Sequence, residues 1–178
     1  MVRGRPFRLA ACRLNALHHQ AHPAFGFGYC YMTKAGSDKL LVREFRETDL
    51  EAVVALWQDC GLVVPHNNPR RDIERKLRVD SDLFLVGLVS NRLAATVMGG
   101  YEGHRGWINY LAVSPAYQRR GYGQQIMLAV ESRIKHKGCP KINLQVRAGN
   151  AAVIDFYRAI GYQDDRVIGL GKRLEFDQ

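Results

Sequence analysis

The sequence predicts an α/β domain, a mixed sheet with helices on its faces. Three observations point there. At 178 residues and 47% hydrophobic, the chain suits one ordinary domain with a real core. Its apolar residues alternate in some short runs and fall at helical spacing in others. The resulting order is β-α-α-β-β-β-α-β-α-β, with a block of strands in the middle, no internal repeat and no second domain.

Residues 40–45 are a short apolar stretch with a polar end, a first strand. Thr48 and Glu51 have the spacing of a capping box. Leu50, Val53, Val54 and Trp57 follow at i, i+3, i+4 and i+7, so a helix begins there and Gly61 ends it. Asn68-Pro69 reads as an N-cap and first-turn proline for a charged helix over 70–79, with Ile73 and Leu77 inward. Residues 83–89 and 93–100 are strands joined by Ser90-Asn91-Arg92 as a hairpin. Residues 107–113 form a further strand that stops at Ser114-Pro115. The helix over 123–136 buries Ile126, Met127, Val130 and Ile134 and ends near Gly138, with Pro140 beyond. Residues 141–147 alternate Ile142, Leu144 and Val146 against polar neighbours, a strand. Asn150 can cap a helix carrying Val153, Ile154, Phe156 and Tyr157, ending before Gly161. The tail, 162–176, returns as one or two strands interrupted by Gly169 and Gly171.

The formal charge is +9, of which residues 1–32 carry +4 from Arg3, Arg5, Arg8 and Arg13 without one acid. The remaining +5 on residues 33–178 suits an anionic cofactor as well as nucleic acid, and ordinary surface lysines and arginines explain most of it. No specific nucleic-acid site is therefore expected. Residues 1–32 lack a secretory apolar core; they read as an Arg-rich organellar leader or as a start placed upstream of Met32. Either reading makes them disordered or loosely attached and leaves the domain at 33–178. Cys12, Cys30, Cys60 and Cys139 form no C-x-x-C pair, and His66 with Cys60 makes only two ligands. No disulfide framework and no metal is expected, and the setting is a reducing cytoplasm. No apolar run approaches the length of a membrane span.

Gln118-Arg119-Arg120-Gly121-Tyr122-Gly123 is the stretch that carries chemistry. It joins a strand to a helix, where two glycines let the backbone approach a ligand and the helix adds unpaired N–H donors and its positive end. That is a phosphate cradle, with Arg119 and Arg120 either reaching the phosphates or standing as solvated surface charge. A dinucleotide motif would need a third glycine where Ile126 stands and would open directly after its strand. A P-loop would need a lysine and a hydroxyl that are absent.

The same stretch resembles the Q/R-x-x-G-x-G/A signature of the GNAT acetyltransferase family. Asn150 with Phe156-Tyr157-Arg158-Ala159-Ile160-Gly161-Tyr162 is similar to that family's second block. The resemblance covers nearly all of residues 40–176. Residues 97–106 and 169–174 look like small bacterial YpeA-like acetyltransferases, akin to the ribosomal-protein alanine N-acetyltransferases. It implies a GNAT fold with a splayed pair of parallel strands, and acetyl-CoA as co-substrate between them. The backbone of Leu111, Ala112 and Val113 would pair with the pantetheine arm. Gln118, Arg119, Arg120, Gly121, Tyr122, Gly123 and Gln124 would hold the pyrophosphate, with Asn150 and Tyr157 lining the cleft.

The implied reaction is direct acetyl transfer to an amine. The Leu111 backbone N–H would hold the developing oxyanion, and the Tyr157 phenol would protonate the leaving thiolate. Periodicity alone would make Tyr157 a core residue, and Asn150 can be both cap and cleft wall. The strand over 107–113 offers no carboxylate as base, so Glu102 is the nearest candidate, then His104. Tyr110 could bridge a water, and each of the first two could instead be a turn residue. The acceptor is a protein N-terminus, a lysine or a small amine, gripped around residues 61–68. Neither the residues nor the resemblance separates monomer from homodimer. A CoA-binding sensor of the same fold without turnover is the alternative reading.

Overall fold

The structure is a computed structural model and describes residues 39–175; the expectations for residues 1–32 lie outside them. Five strands form one sheet in chain order: β1 (Leu41–Glu44), β2 (Phe84–Val89), β3 (Arg92–Tyr101), β4 (Gly106–Val113) and β5 (Ile142–Leu144). The first four pair antiparallel, and β5 runs parallel to β4. The β2–β3 link is a two-residue turn, with Ser90 and Asn91 both left-handed at φ 48° and 62°. That turn twists with the strands, which is why it is tighter than the three-residue link expected. The helices are α1 (Leu50–Asp59), α2 (Pro69–Val79), α3 (Tyr122–His136) and α4 (Ala151–Ala159).

Both faces of the sheet are covered, so the strands in the middle are apolar on both sides. β2 is buried at all six positions. Leu85 and Val89 join Val97 and Ile108 against Ile126, Met127, Val130 and Ile134 of α3. Phe84 and Val86 face the other way, with Met98 and Ala112, against Val53, Val54 and Trp57 of α1 and Ile73 of α2. Each such side chain contributes roughly 1.5–3 kcal/mol by leaving water. α2 is started as its sequence reads: the Asn68 Oδ1 accepts from the amides of Arg70 and Arg71, and Pro69 needs no donor there.

Three expectations need correction. Thr48 and Glu51 do not cap α1. A 3-10 turn over Glu47–Asp49 precedes it, and Asp49 accepts from the Arg46 amide at 2.8 Å and grips Arg43 with both oxygens, at 2.6 and 2.8 Å. A charge-assisted, two-pronged pair outweighs a neutral hydroxyl cap, and Glu51 turns to Arg70 instead, at 2.6 and 2.7 Å. β5 is confined to Ile142–Leu144 because β4 parts from it after Ile108. The described tail forms no strand. Arg166 is left-handed at φ 54°, its amide is held by Asp164 at 2.8 Å, and Val167, Ile168, Leu170 and Leu174 stay exposed.

Candidate active site

β4 carries an extra residue midway. Asn109 pairs with Met98 and Ala112 with Thr96, so Tyr110 and Leu111 together stand opposite Val97. Tyr110 is left-handed at φ 49°, uncommon for a large side chain and the signature of a bulge. The bulge resets the alternation of the strand. Ile108, Leu111 and Val113 point to the α3 face, whereas Tyr110 and Ala112 point to the α1–α2 face. On the other side, the β4–β5 register runs from Gly106 with Ile142 to Ile108 with Leu144 and stops. From Asn109 onward β4 pairs with no strand on that edge among the described residues. Leu111, Ala112 and Val113 therefore lie together on the open part of the strand.

After β4 the chain turns through residues 114–121 into α3. Arg119 and Gly121 are both left-handed, at φ 61° and 78°, and Gly121 is the residue just before the helix. Left-handed residues leading into a helix whose first amides have no partner within it suit an anion-binding nest. A methyl group on Gly121 would come no nearer than 3.9 Å to any atom, so the space beside it is open. Gly123 also has a packing reason. A β-carbon there would lie 3.2 Å from the Phe156 ring, so this glycine lets α4 lean on α3. Arg119, Arg120 and Gln124 are exposed, and the Arg120 guanidinium lies over the Tyr117 ring at 5.7 Å. The Gln118 side chain folds back and donates to the Val113 carbonyl at 3.0 Å, bracing the loop on the strand it leaves.

That lean of α4 brings the second sequence block to the first. Asn150 caps α4 by accepting from the Val153 amide at 3.4 Å. Tyr157 is buried in the same apolar cluster as Tyr122, with Leu111 and Val113 packed against it, and its ring meets Phe156 and Tyr162 edge-on. Its hydroxyl has no hydrogen-bond partner among the described residues. Burial pushes its pKa from 10.0 up to about 12, so at neutral pH it holds its proton. Tyr162 is pushed up as well, by burial and by Glu131, whose carboxylate accepts from it at 2.9 Å.

The face opposite α3 holds residues that sequence reasoning missed. The Trp57 indole donates to the Thr96 Oγ1 at 2.9 Å, and Thr96 donates in turn to the Tyr110 carbonyl at 3.2 Å. Thr96 is fully buried, and its hydroxyl in the otherwise apolar run from 93 to 100 was the available signal. The Tyr110 ring stacks on Trp57 with centroids 4.0 Å apart, and its hydroxyl donates to the Asp72 Oδ2 at 2.6 Å. Nothing local in the sequence marks Asp72. Glu102 sits elsewhere, in the turn before β4 and on the far side of Gly106 from the bulge. Its two oxygens accept from the amides of His104 and Arg105, at 3.0 and 2.7 Å, and His104 is exposed in the same turn. The structure does not bring either of them to the bulge. Among the described residues no group of three or more His, Cys, Asp or Glu could hold a metal, and no helix is long and apolar enough to cross a membrane.

Comparison with known proteins agrees with this geometry. Residues 42–162 match the family described as Acetyltransferase (GNAT) family. An acetyltransferase of Sodalis glossinidius is 48% identical over 138 residues, 77% of this chain and 97% of that protein. One of Yersinia enterocolitica is 45% identical over 137 residues with the same coverage. The solved structure of AAC(6')-Iy, in complex with the bisubstrate analogue CoA-S-monomethyl-acetylneamine, shares the fold at a TM-score of 0.63. It is 20% identical and covers 76% of this chain and 99% of that one. The parallel β4–β5 pair that parts at the bulge is the splayed pair of this fold.

Proposed function

The chain belongs to the GNAT acetyltransferase family, and from that premise we propose that acetyl-CoA is the donor and a primary amine the acceptor. The observation that carries this reading is the parting of β4 from β5 at a bulge that leads, through left-handed residues, to the start of α3. Its residues fit the donor. The open edge at Leu111, Ala112 and Val113 suits the amides of a pantetheine arm. The amides of residues 119–124, at the positive end of a helix with open space beside Gly121, suit a pyrophosphate. Arg119 and Arg120 add charge that solvent screens.

Bound there, acetyl-CoA supplies a thioester whose carbonyl carbon the amine attacks. The new N–C bond forms as the C–S bond breaks. The Leu111 amide stabilises the negative charge on the carbonyl oxygen. Tyr157, protonated at neutral pH and in the Leu111 cluster, gives its proton to the departing thiolate and recovers one from solvent. The amine loses its proton to water. A peptide N-terminus ranks first among acceptors, ahead of lysine and small amines.

Thermal unfolding tests the donor: acetyl-CoA raises Tm and NAD does not. Equal stabilisation by both, or by neither, overturns it. A screen of peptides, polyamines and small amines with a mass readout tests the transfer. Silence across all of them, with acetyl-CoA bound, favours a CoA sensor instead.

A further inference from the structure

We propose that Glu131, acting through the Tyr162 hydroxyl, is a positioning residue for Tyr157; this rests on the reading of Tyr157 as the acid of acetyl transfer. An acid serves only where its proton faces the leaving sulfur. A buried phenol is ordinarily aimed by a hydrogen bond at its oxygen. Tyr157 has none among the described residues, so its direction comes from the rings around it.

Two rings flank it. Phe156 and Tyr162 meet the Tyr157 ring edge-on, with centroids 5.2 and 5.5 Å away and planes at 64° and 66°. Edge-to-face contact is directional, so a ring set against two others keeps its tilt only while they keep theirs. Both are fastened to α3, one in its first turn and the other about two turns further on. Phe156 lies against the bare backbone of Gly123, where a β-carbon would come within 3.2 Å of its ring. Tyr162 donates from its hydroxyl to the Glu131 carboxylate at 2.9 Å.

Little else seats this part of the chain. Tyr157 is the one buried residue of α4, which is nine residues long. The chain then reverses at Gly161, left-handed at φ 101°, and the Tyr162 amide donates to the Tyr157 carbonyl at 3.0 Å. Tyr162 thus holds its neighbour by ring and by backbone, and its hydroxyl ties both to α3. A hydrogen bond to a carboxylate is of the stronger kind. Burial and the Glu131 charge both keep the proton on Tyr162, so the tie does not loosen at neutral pH. α3 begins at the amides proposed for the pyrophosphate. One helix therefore seats the donor at its first turn and the acid at its third, which holds sulfur and phenol in one frame.

The test measures coenzyme A released from acetyl-CoA, with a short peptide bearing a free amino terminus as acceptor, beside acetyl-CoA affinity by calorimetry. Tyr162→Phe keeps the ring and loses the tie. It should lower turnover roughly tenfold at unchanged acetyl-CoA affinity, since a misplaced acid serves poorly. Glu131→Ala should match it, whereas Glu131→Gln, whose amide oxygen still accepts, should turn over nearly as the wild type does. The deciding variant is double. With Tyr157→Phe in place, adding Tyr162→Phe should change turnover by less than about twofold, because a residue that acts through the Tyr157 phenol has nothing left to place. An equal loss in both backgrounds overturns the assignment, as does wild-type turnover in Tyr162→Phe. Should Tyr162→Phe fail to fold, the same cycle run with Glu131→Ala decides. If Tyr157→Phe alone leaves turnover intact, the acid reading falls first and this one with it. If the wild type releases no coenzyme A with the peptide or with any amine of the screen above, transfer itself falls, and both with it.

Discussion

The two faces of the sheet are built on different principles. On the α3 face, the loop, the helix start and α4 follow β4 in the chain. The residues proposed to hold the donor lie between Leu111 and Tyr162, close enough in sequence to form motifs. On the α1–α2 face, the contacts that shape the bulge join residues far apart: Trp57 to Thr96 across 39 positions and Tyr110 to Asp72 across 38. The α3 face is thus a local device, mostly backbone. The α1–α2 face is assembled by packing, mostly side chains.

The hardest way to break the comparison is Trp57→Ala. Trp57 is fully buried, and its loss removes the stack under Tyr110 and the donor that orients Thr96. Denaturant unfolding is expected to show a loss of about 3–5 kcal/mol; a loss under about 1 kcal/mol would mean the bulge is not held from this face. On the other face, Tyr157→Phe should lower turnover on the order of 100-fold and leave acetyl-CoA affinity nearly unchanged. Steady-state kinetics beside direct binding separates the two, and unchanged turnover would remove its role as acid.

Tyr157 also sets an alkaline signature. Its folded pKa of about 12 lies above the ordinary 10.0, so the unfolded chain loses this proton first. The stability it contributes is intact below pH 10 and is lost as pH rises toward 12. Tyr162 is shifted in the same direction, so Tyr157→Phe should shallow that decline, not abolish it.

Smaller effects sharpen the division. Gly121→Ala meets no clash but must hold a left-handed φ of 78°, at about 1–2 kcal/mol. The free loop already holds that φ, so the strain is read in denaturant unfolding, and acetyl-CoA affinity falls as far as the added methyl keeps the phosphates from the amides. An affinity equal to that of the wild type would place the phosphates elsewhere. The smallest effect belongs to Glu102→Gln, whose turn is remote from the bulge. Turnover should change by no more than about twofold, because surface changes away from a site do little; a large loss would restore Glu102 as a candidate base.

Much of the fold was legible because it is written in short-range patterns. Asn68 and Pro69 start α2, Asn150 starts α4, and Gly61, Gly138 and Gly161 turn the chain at left-handed φ after α1, α3 and α4. Where longer-range competition entered, local reading failed: Arg43 took Asp49 and with it the start of α1 away from Thr48. The tail failed for a related reason. A strand needs a partner edge, and alternating residues alone do not provide one.

The sequence by itself determined the α/β order, the cradle from Gln118 to Gly123 and the block around Tyr157, since each depends on backbone geometry and on neighbours a few residues apart. Only the tertiary structure decided that β4 bulges at Tyr110, that Gly123 makes room for Phe156, and that Asp72 meets the Tyr110 hydroxyl. Those outcomes depend on which surfaces pack together. A one-residue bulge reverses every side chain after it, and no local pattern records where it falls.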